Sequence, residues 1–259
     1  MTIAPTTREQ DFATLPGIAL ITGGTGGIGS AIARRLATGG AQIALTYRTT
    51  EPRPLLEELG PTAEAHRLDV TDAAAASTLV DDLVARHGGI HTLVHAAGPH
   101  VPMVHLSRVS PEQFANQVEA DLVGFFTVVH SALPALRQSR GSIVAVTTAA
   151  TRRYPVRDGL SAAPKGGVEA LAMALAAEEG RYGVRVNCVG PGMLTDGMSA
   201  RLMASGDLDD RALAVATSNI PLRRFGTSAD VAEAVAFLAS PRADFISGQK
   251  LDVDGGFGV

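Results

Sequence analysis

The segment Thr22-Gly23-Gly24-Thr25-Gly26-Gly27-Ile28-Gly29 limits the fold more than any other stretch. A short apolar run, 18–22, precedes it, and an apolar pattern of helical period, 28–38, follows it. Glycine lets a chain turn tightly and brings its backbone close to a ligand. The start of the next helix offers unpaired N–H groups and a positive dipole end. Strand, glycine turn and helix in that order read as a dinucleotide phosphate loop. Thr22, Gly23, Thr25, Gly27, Ile28 and Gly29 are therefore expected around a pyrophosphate.

The same alternation continues down the chain. Strands are expected at 42–47, 63–68, 91–96, 141–148, 184–189 and 249–253. Helices are expected between them, from Thr71-Asp72 to about His87, from Ser110 to about Leu136, and at 228–238. Another is expected from Pro164, placed in its first turn, through about Tyr182. Short apolar runs alternating with helical patterns predict βαβ units. The expectation is an α/β doubly wound Rossmann fold, a seven-stranded parallel sheet with helices on both faces. It forms one domain over 16–259, preceded by a flexible extension, 1–15, and carrying a mobile substrate flap at about 193–219.

Composition excludes some partners. Net charge is −4, which gives no pull toward nucleic acid or anionic membrane. The apolar runs fall short of the roughly 20 residues of a membrane span. The first residues carry no apolar signal core, and the lone Cys188 sits in an apolar run. A buried thiol in a reducing cytoplasm is expected, with no disulfide and no metal site. Lysine is scarce: of 22 basic residues only Lys165 and Lys250 are lysines. Arginine replaces lysine readily on a surface but not as a compact charge in a site, so Lys165 stands out.

The end of the second strand favours one cofactor. An acidic residue there would bind a free adenosine ribose. The chain has Tyr47 followed by Arg48-Thr49-Thr50. A cation and hydroxyls suit a 2′-phosphate, so NADPH (NADP) is expected. Asp69 and Val70 after the third strand are expected to flank the adenine.

Several segments together resemble the short-chain dehydrogenase/reductase family, and within it the β-ketoacyl-carrier-protein reductase type. They are the glycine loop, His95-Ala96-Ala97-Gly98, Gly141 to Val144, and Val186 to Gly192. The run Ile220 to Gly226 and the segments Ser247 to Gln249 and Asp254 to Gly256 match as well. The resemblance implies that Ala96, Ala97, Gly98, Lys165, Pro191, Gly192 and Thr195 contact the cofactor. It also implies a homodimer or homotetramer. Members use a tyrosine as proton donor, a lysine on the nicotinamide ribose, a serine on the carbonyl and an asparagine in a water relay. Lys165 matches. Thr148 falls at the serine position and Asp121 at the asparagine position. Ser161 falls at the tyrosine position, or Leu160 if Pro164 is an insertion. No tyrosine is supplied.

A serine hydroxyl is a far weaker acid than a phenol near an ammonium. Losing a general acid costs about 10²–10⁴ in rate. Positioning contributes more, about 7–11 kcal/mol. Tyr154, His95, His100 and His105 are candidates to replace the donor, and Arg152, Arg153 and Arg157 could grip an anionic substrate. Two readings stay open. One is an atypical NADPH-dependent reductase of an acyl-carrier-bound or polyketide-like ketone. The other is a cofactor-binding partner subunit, or a non-redox isomerase or dehydratase on the same scaffold.

Overall fold

The computed structural model describes residues 10–99, 101–196 and 210–259. Seven strands form one sheet: β1 Ile18–Thr22, β2 Ile43–Tyr47, β3 Ala63–Arg67, β4 Ile90–His95, β5 Ser142–Val146, β6 Arg185–Pro191 and β7 Lys250–Val253. Their spatial order is β3-β2-β1-β4-β5-β6-β7, and every pairing is parallel. Strand order reverses between β1 and β4, and such a switch leaves a ligand crevice beyond the strand carboxyl ends.

Eight described helices cover the sheet: α1 Gly27–Thr38, α2 Arg53–Leu59, α3 Ala73–His87, α4 Pro111–Val118, α5 Gly124–Ser139, α6 Gly159–Glu179, α7 Asp210–Ser218 and α8 Ser228–Ala239. Side chains of α3, α5 and α6, such as Leu83, Phe125 and Val168, pack on one face. Ile32 and Leu36 of α1 and Val231 and Val235 of α8 pack on the other. Both faces of the inner strands are thus covered, which is why β1, β2 and β5 read as nearly continuous apolar runs, whereas the edge strands β3 and β7 carry charged residues.

Four expectations change. First, Phe12 lies inside the supposed flexible extension but is only 1% exposed, and its N–H donates to Gly39 O at 2.9 Å. Asp11 adds an ion pair to Arg242 at 2.9 Å. Residues 10–15 are therefore part of the packed domain, while 1–9 lie outside the described residues. Second, α6 begins at Gly159, so Pro164 sits inside the helix. The carbonyl of Asp158 accepts from the N–H groups of Ser161 and Ala162, at 3.1 and 2.9 Å, and starts the helix a turn early. Burial of Leu160, Pro164 and Val168, spaced four apart on one helix face, outweighs the roughly 3 kcal/mol penalty of an interior proline.

Third, the long helix expected from Ser110 is not uniform. A wide π-turn, Glu119–Val123, separates α4 from α5. The combined run Pro111–Ser139 is long and apolar enough to cross a membrane by length and composition. Its Phe125, Val128, Val129 and Leu136 nevertheless bury against the sheet, so it is a core helix. Fourth, only part of the supposed flap falls within the described residues. Leu194 bridges to Gly226, and both Ser228 N–H and Oγ donate to the carboxylate of Asp196 at 3.0 Å. Asp196 thereby satisfies a free N–H at the start of α8. The remainder, 197–209, lies outside the described residues.

Candidate active site

The glycine loop is built by close approach. Gly23 adopts φ +67, and a Cβ there would stand 2.6 Å from Ala96 O and Ala97 N. A Cβ on Gly29 would stand 2.2 Å from Gly23 O. Both distances are far inside van der Waals contact, so only glycine lets the loop, the β4 loop and α1 meet. Gly26 precedes α1 without any side-chain cap, which leaves its first N–H groups open to an anion. A cradle of this shape fits a dinucleotide pyrophosphate. Thr25 is exposed and Ile28 half-buried at its rim. Thr22 is placed differently from expectation. It is fully buried, and its hydroxyl meets His95 Nδ1 at 2.9 Å, so it ties β1 to β4.

Beyond the sheet edge, Arg48 is exposed at the end of β2, and its carbonyl accepts from Arg67 Nε at 3.2 Å. The Arg67 guanidinium thus lies beside the backbone of Arg48 at the end of β2. Arg67 escaped the sequence reading because its partner lies 19 residues away. Asp69 is committed to its own turn. Thr71 N–H and hydroxyl both donate to its Oδ1, at 3.0 and 2.8 Å, and hold it below the usual carboxylate range, with help from Arg48. Val70 packs under Gly124 at the start of α5.

Lys165 and Asp121 form the charged centre. Lys165 Nζ lies 3.2 Å from Asp121 Oδ1, and Asp121 Oδ2 accepts from Gln117 Nε2 at 2.6 Å. Asp121 is 2% exposed. It sits in the π-turn, and such insertions re-aim side chains that a regular helix would send elsewhere. A Cβ at Gly98 would stand 3.1 Å from Asp121 Oδ1 and 3.4 Å from Lys165 Nζ. The β4 loop therefore lies directly against the pair, as the glycine loop lies against the β4 loop. Gln117, not singled out from sequence, lies on α4 four residues before Asp121.

The other candidates divide clearly. Leu160 is 5% exposed in the core, whereas Ser161 is half-buried, four residues before Lys165 on the same face. Thr148 Oγ accepts from Ala150 N–H at 3.1 Å and caps the turn after β5. Tyr154 is 69% exposed and is not brought to the pair. Arg152 lies 3.6 Å from Asp252, Arg153 stacks over Phe257, and Arg157 donates to Met103 O. These arginines brace loops and do not converge on a single ligand position. His95 is buried and pushed down to about 3 by desolvation and by the nearby Lys165 charge, so it is neutral. Among the described residues its Nε2 has no hydrogen-bond partner. His105 is exposed, and His100 lies outside the described residues.

Asp158 was not foreseen. It immediately precedes α6 and makes no side-chain cap bond. Burial pushes its carboxyl up to about 6, against the opposing pull of Lys165. Its spacing of three from Ser161 and seven from Lys165 was the available signal.

The end of β6 carries the residues expected on the nicotinamide side. Pro191 is buried, Gly192 N–H donates to Val253 O at 3.0 Å, and Thr195 N–H to Gly226 O at 2.9 Å. A second lysine centre stands beyond it. Lys250 Nζ lies 3.1 Å from Glu169 Oε1, and Thr151 donates to the same carboxylate at 2.8 Å. Asp252 Oδ1 is also 3.1 Å from Lys250 Nζ, close enough for charge pairing without hydrogen-bond alignment. Among the described residues no cluster of His, Cys, Asp or Glu could hold a metal.

Comparison with known proteins agrees with this geometry. The family model described as enoyl-(acyl carrier protein) reductase matches residues 23–258. L-fucose dehydrogenase of Oryctolagus cuniculus is 35% identical over 239 residues, covering 92% of this chain and 84% of the relative. The 3-oxoacyl-(acyl-carrier-protein) reductase FabG of Staphylococcus aureus strain Mu50 is 32% identical, covering 92% and 96%. A solved actinorhodin polyketide ketoreductase variant with NADPH superposes with a TM-score of 0.86 at 31% identity, covering 94% and 97%. The chain is an oxidoreductase of the short-chain dehydrogenase/reductase family.

Proposed function

We propose that the chain is an NADPH-dependent reductase of an acyl-carrier-bound or polyketide-like ketone, working without the family's tyrosine. The observation that carries this reading is the Lys165–Asp121 pair, set against the β4 loop beside the glycine cradle. The first N–H groups of α1 would hold the pyrophosphate, and Arg48 with Arg67 the 2′-phosphate. Lys165 would hold the nicotinamide ribose. When bound, the cofactor supplies a hydride to the carbonyl carbon.

The residues then do the rest. Asp121, fixed by Gln117, holds the Lys165 ammonium in place. Among the described residues the Thr148 hydroxyl donates to no partner and its oxygen accepts from Ala150, which leaves its hydrogen to orient a carbonyl oxygen. The ketone class rests on the FabG relative and the ketoreductase neighbour. L-fucose is the rival substrate named by the other relative. Purified protein should oxidise NADPH with a β-ketoacyl thioester or a cyclic polyketide ketone. Turnover of L-fucose alone would reassign the substrate. Tight NADPH binding with no turnover on any carbonyl would overturn the reductase reading.

Phe114 of α4, Val123 in the π-turn, Phe126 of α5 and Met173 of α6 are exposed apolar side chains. They suit association of copies into a dimer or tetramer. Mass measured by light scattering tests this. A cytoplasmic setting is supported by the single, buried Cys188.

A further inference from the structure

We propose that Asp158 is the catalytic acid of this chain, giving its carboxyl proton to the carbonyl oxygen as the carbonyl carbon is reduced. The assignment rests on the reductase reading above. On a helix, positions i, i+3 and i+7 share one stripe. Asp158, Ser161 and Lys165 occupy those positions at the start of α6, whose N-cap is Asp158. Ser161 is the short member of the stripe. Its neighbours along the stripe are Asp158 on one side and Lys165 on the other, and the charge of Lys165 is felt at the Asp158 carboxyl.

The carboxyl is uncommitted. An aspartate at an N-cap ordinarily accepts from the N–H of the second or third helical residue. Here the N–H of Ser161 goes to the Asp158 carbonyl, and the side chain makes no cap bond. Among the described residues it has no hydrogen bond or ion pair. It is also partly roofed. Val104 N–H donates to Arg157 O at 3.0 Å, and Leu106 fills the space a Cβ on Gly159 would enter. The loop after β4 thus lies over the first turn of α6.

The charged surroundings decide its protonation. Lys165, on its own helix, favours the carboxylate and is in turn neutralised by Asp121. Arg157 beside it is turned to Met103 O. His105 and Arg108 on the apposed loop, and Tyr154 before it, are exposed. Burial prevails and carries the carboxyl to about 6, within reach of a working donor near neutral pH.

The step balances. The carbonyl carbon takes a hydride, with its two electrons, from a reduced nicotinamide dinucleotide. The carbonyl π pair moves to oxygen, the Asp158 O–H bond breaks, and the new alcohol O–H forms. The ketone is reduced and the nicotinamide oxidised. Asp158 is left as a carboxylate and regains a proton from water at its exposed edge.

Asp158→Asn and Asp158→Glu test the role. NADPH binding, read by fluorescence, should be unchanged in both. Wild-type keto reduction should be flat below about pH 6 and fall as pH rises above it. Asp158→Asn should lose about 10²–10⁴-fold and lose that limb, with partial recovery in Asp158→Glu. Independently of turnover, an infrared titration should show an acid carbonyl band that disappears near pH 6 and is missing in Asp158→Asn. An active wild type whose Asp158→Asn variant matches it at every pH overturns the assignment alone. So does a carboxyl that titrates near the ordinary aspartate value with NADPH bound. A wild type inactive on every carbonyl overturns the reductase reading and the donor role with it.

Discussion

Removing the ammonium of Lys165 should harm folding more than removing the ammonium together with the carboxylate it faces. At 3.2 Å, and an effective dielectric near 20, the pair attracts by about 5 kcal/mol. Desolvating two charges cancels much of this, so the intact pair adds little net stability. Lys165→Met deletes the attraction but leaves Asp121 2% exposed, with Gln117 as its remaining partner. An uncompensated buried charge costs about 3–5 kcal/mol. At about 2–4 °C per kcal/mol for a domain near this size, the melting point should fall by roughly 6–20 °C. Asp121→Asn keeps an oxygen for the ammonium, and Lys165 retains 18% side-chain exposure, so about 1–2 kcal/mol is expected. The double variant removes both charges and should lie within about 1 kcal/mol of Asp121→Asn. Urea unfolding of the four proteins without cofactor gives the cycle. A coupling energy below about 0.5 kcal/mol would refute the buried-pair argument, because the two sites would then be independent.

Other changes have separable outcomes. Arg48→Ala should weaken NADPH by about 1.5–3 kcal/mol while sparing NADH, measured by fluorescence titration; equal losses would remove the 2′-phosphate from that corner. Ser161→Tyr restores a phenol four residues before Lys165 and should raise keto reduction above pH 7, where Asp158 is ionised; a uniform loss at all pH values would show that the space is needed for substrate. Phe12→Ala empties a site 1% exposed and stacked on His91, and should cost about 3–5 kcal/mol in unfolding experiments. Burial pushes the Cys188 thiol up to about 12, so a thiol reagent at pH 8 should modify the native protein only as fast as it unfolds.

The phosphate loop could be read from sequence because its elements are consecutive. Strand, glycine turn and helix lie within one short segment, and each has a local signature. The seven-stranded parallel sheet with helices on both faces followed from the same alternation. Features set by tertiary packing were less legible. Pro164 looks like a helix start, and burial of Leu160 and Ala162 moved the start to Gly159. The π-turn at Asp121 leaves no trace in hydrophobic period, yet it sets where the carboxylate points. Thr22 resembles a loop residue until His95 is brought beside it from 73 positions away. Asp158 resembles an ordinary polar loop residue, and only the helix stripe relates it to Lys165.

The two lysines have a consequence for chemistry carried out on the protein. Both primary amines of the side chains are held against carboxylates, with side-chain exposures of 18% and 13%. All other fixed basic charge on the surface is arginine. Acylating reagents, aldehydes and amine cross-linkers therefore meet almost no accessible side-chain amine while the protein is folded and its pairs are closed. Slow acylation of Lys165 would report the opening of the active-site pair, and that of Lys250 the loosening of the β7 edge. A ligand seated on Lys165 would protect the first and leave the second unchanged. Two amines thus provide a residue-resolved clock for local breathing, without any engineered label.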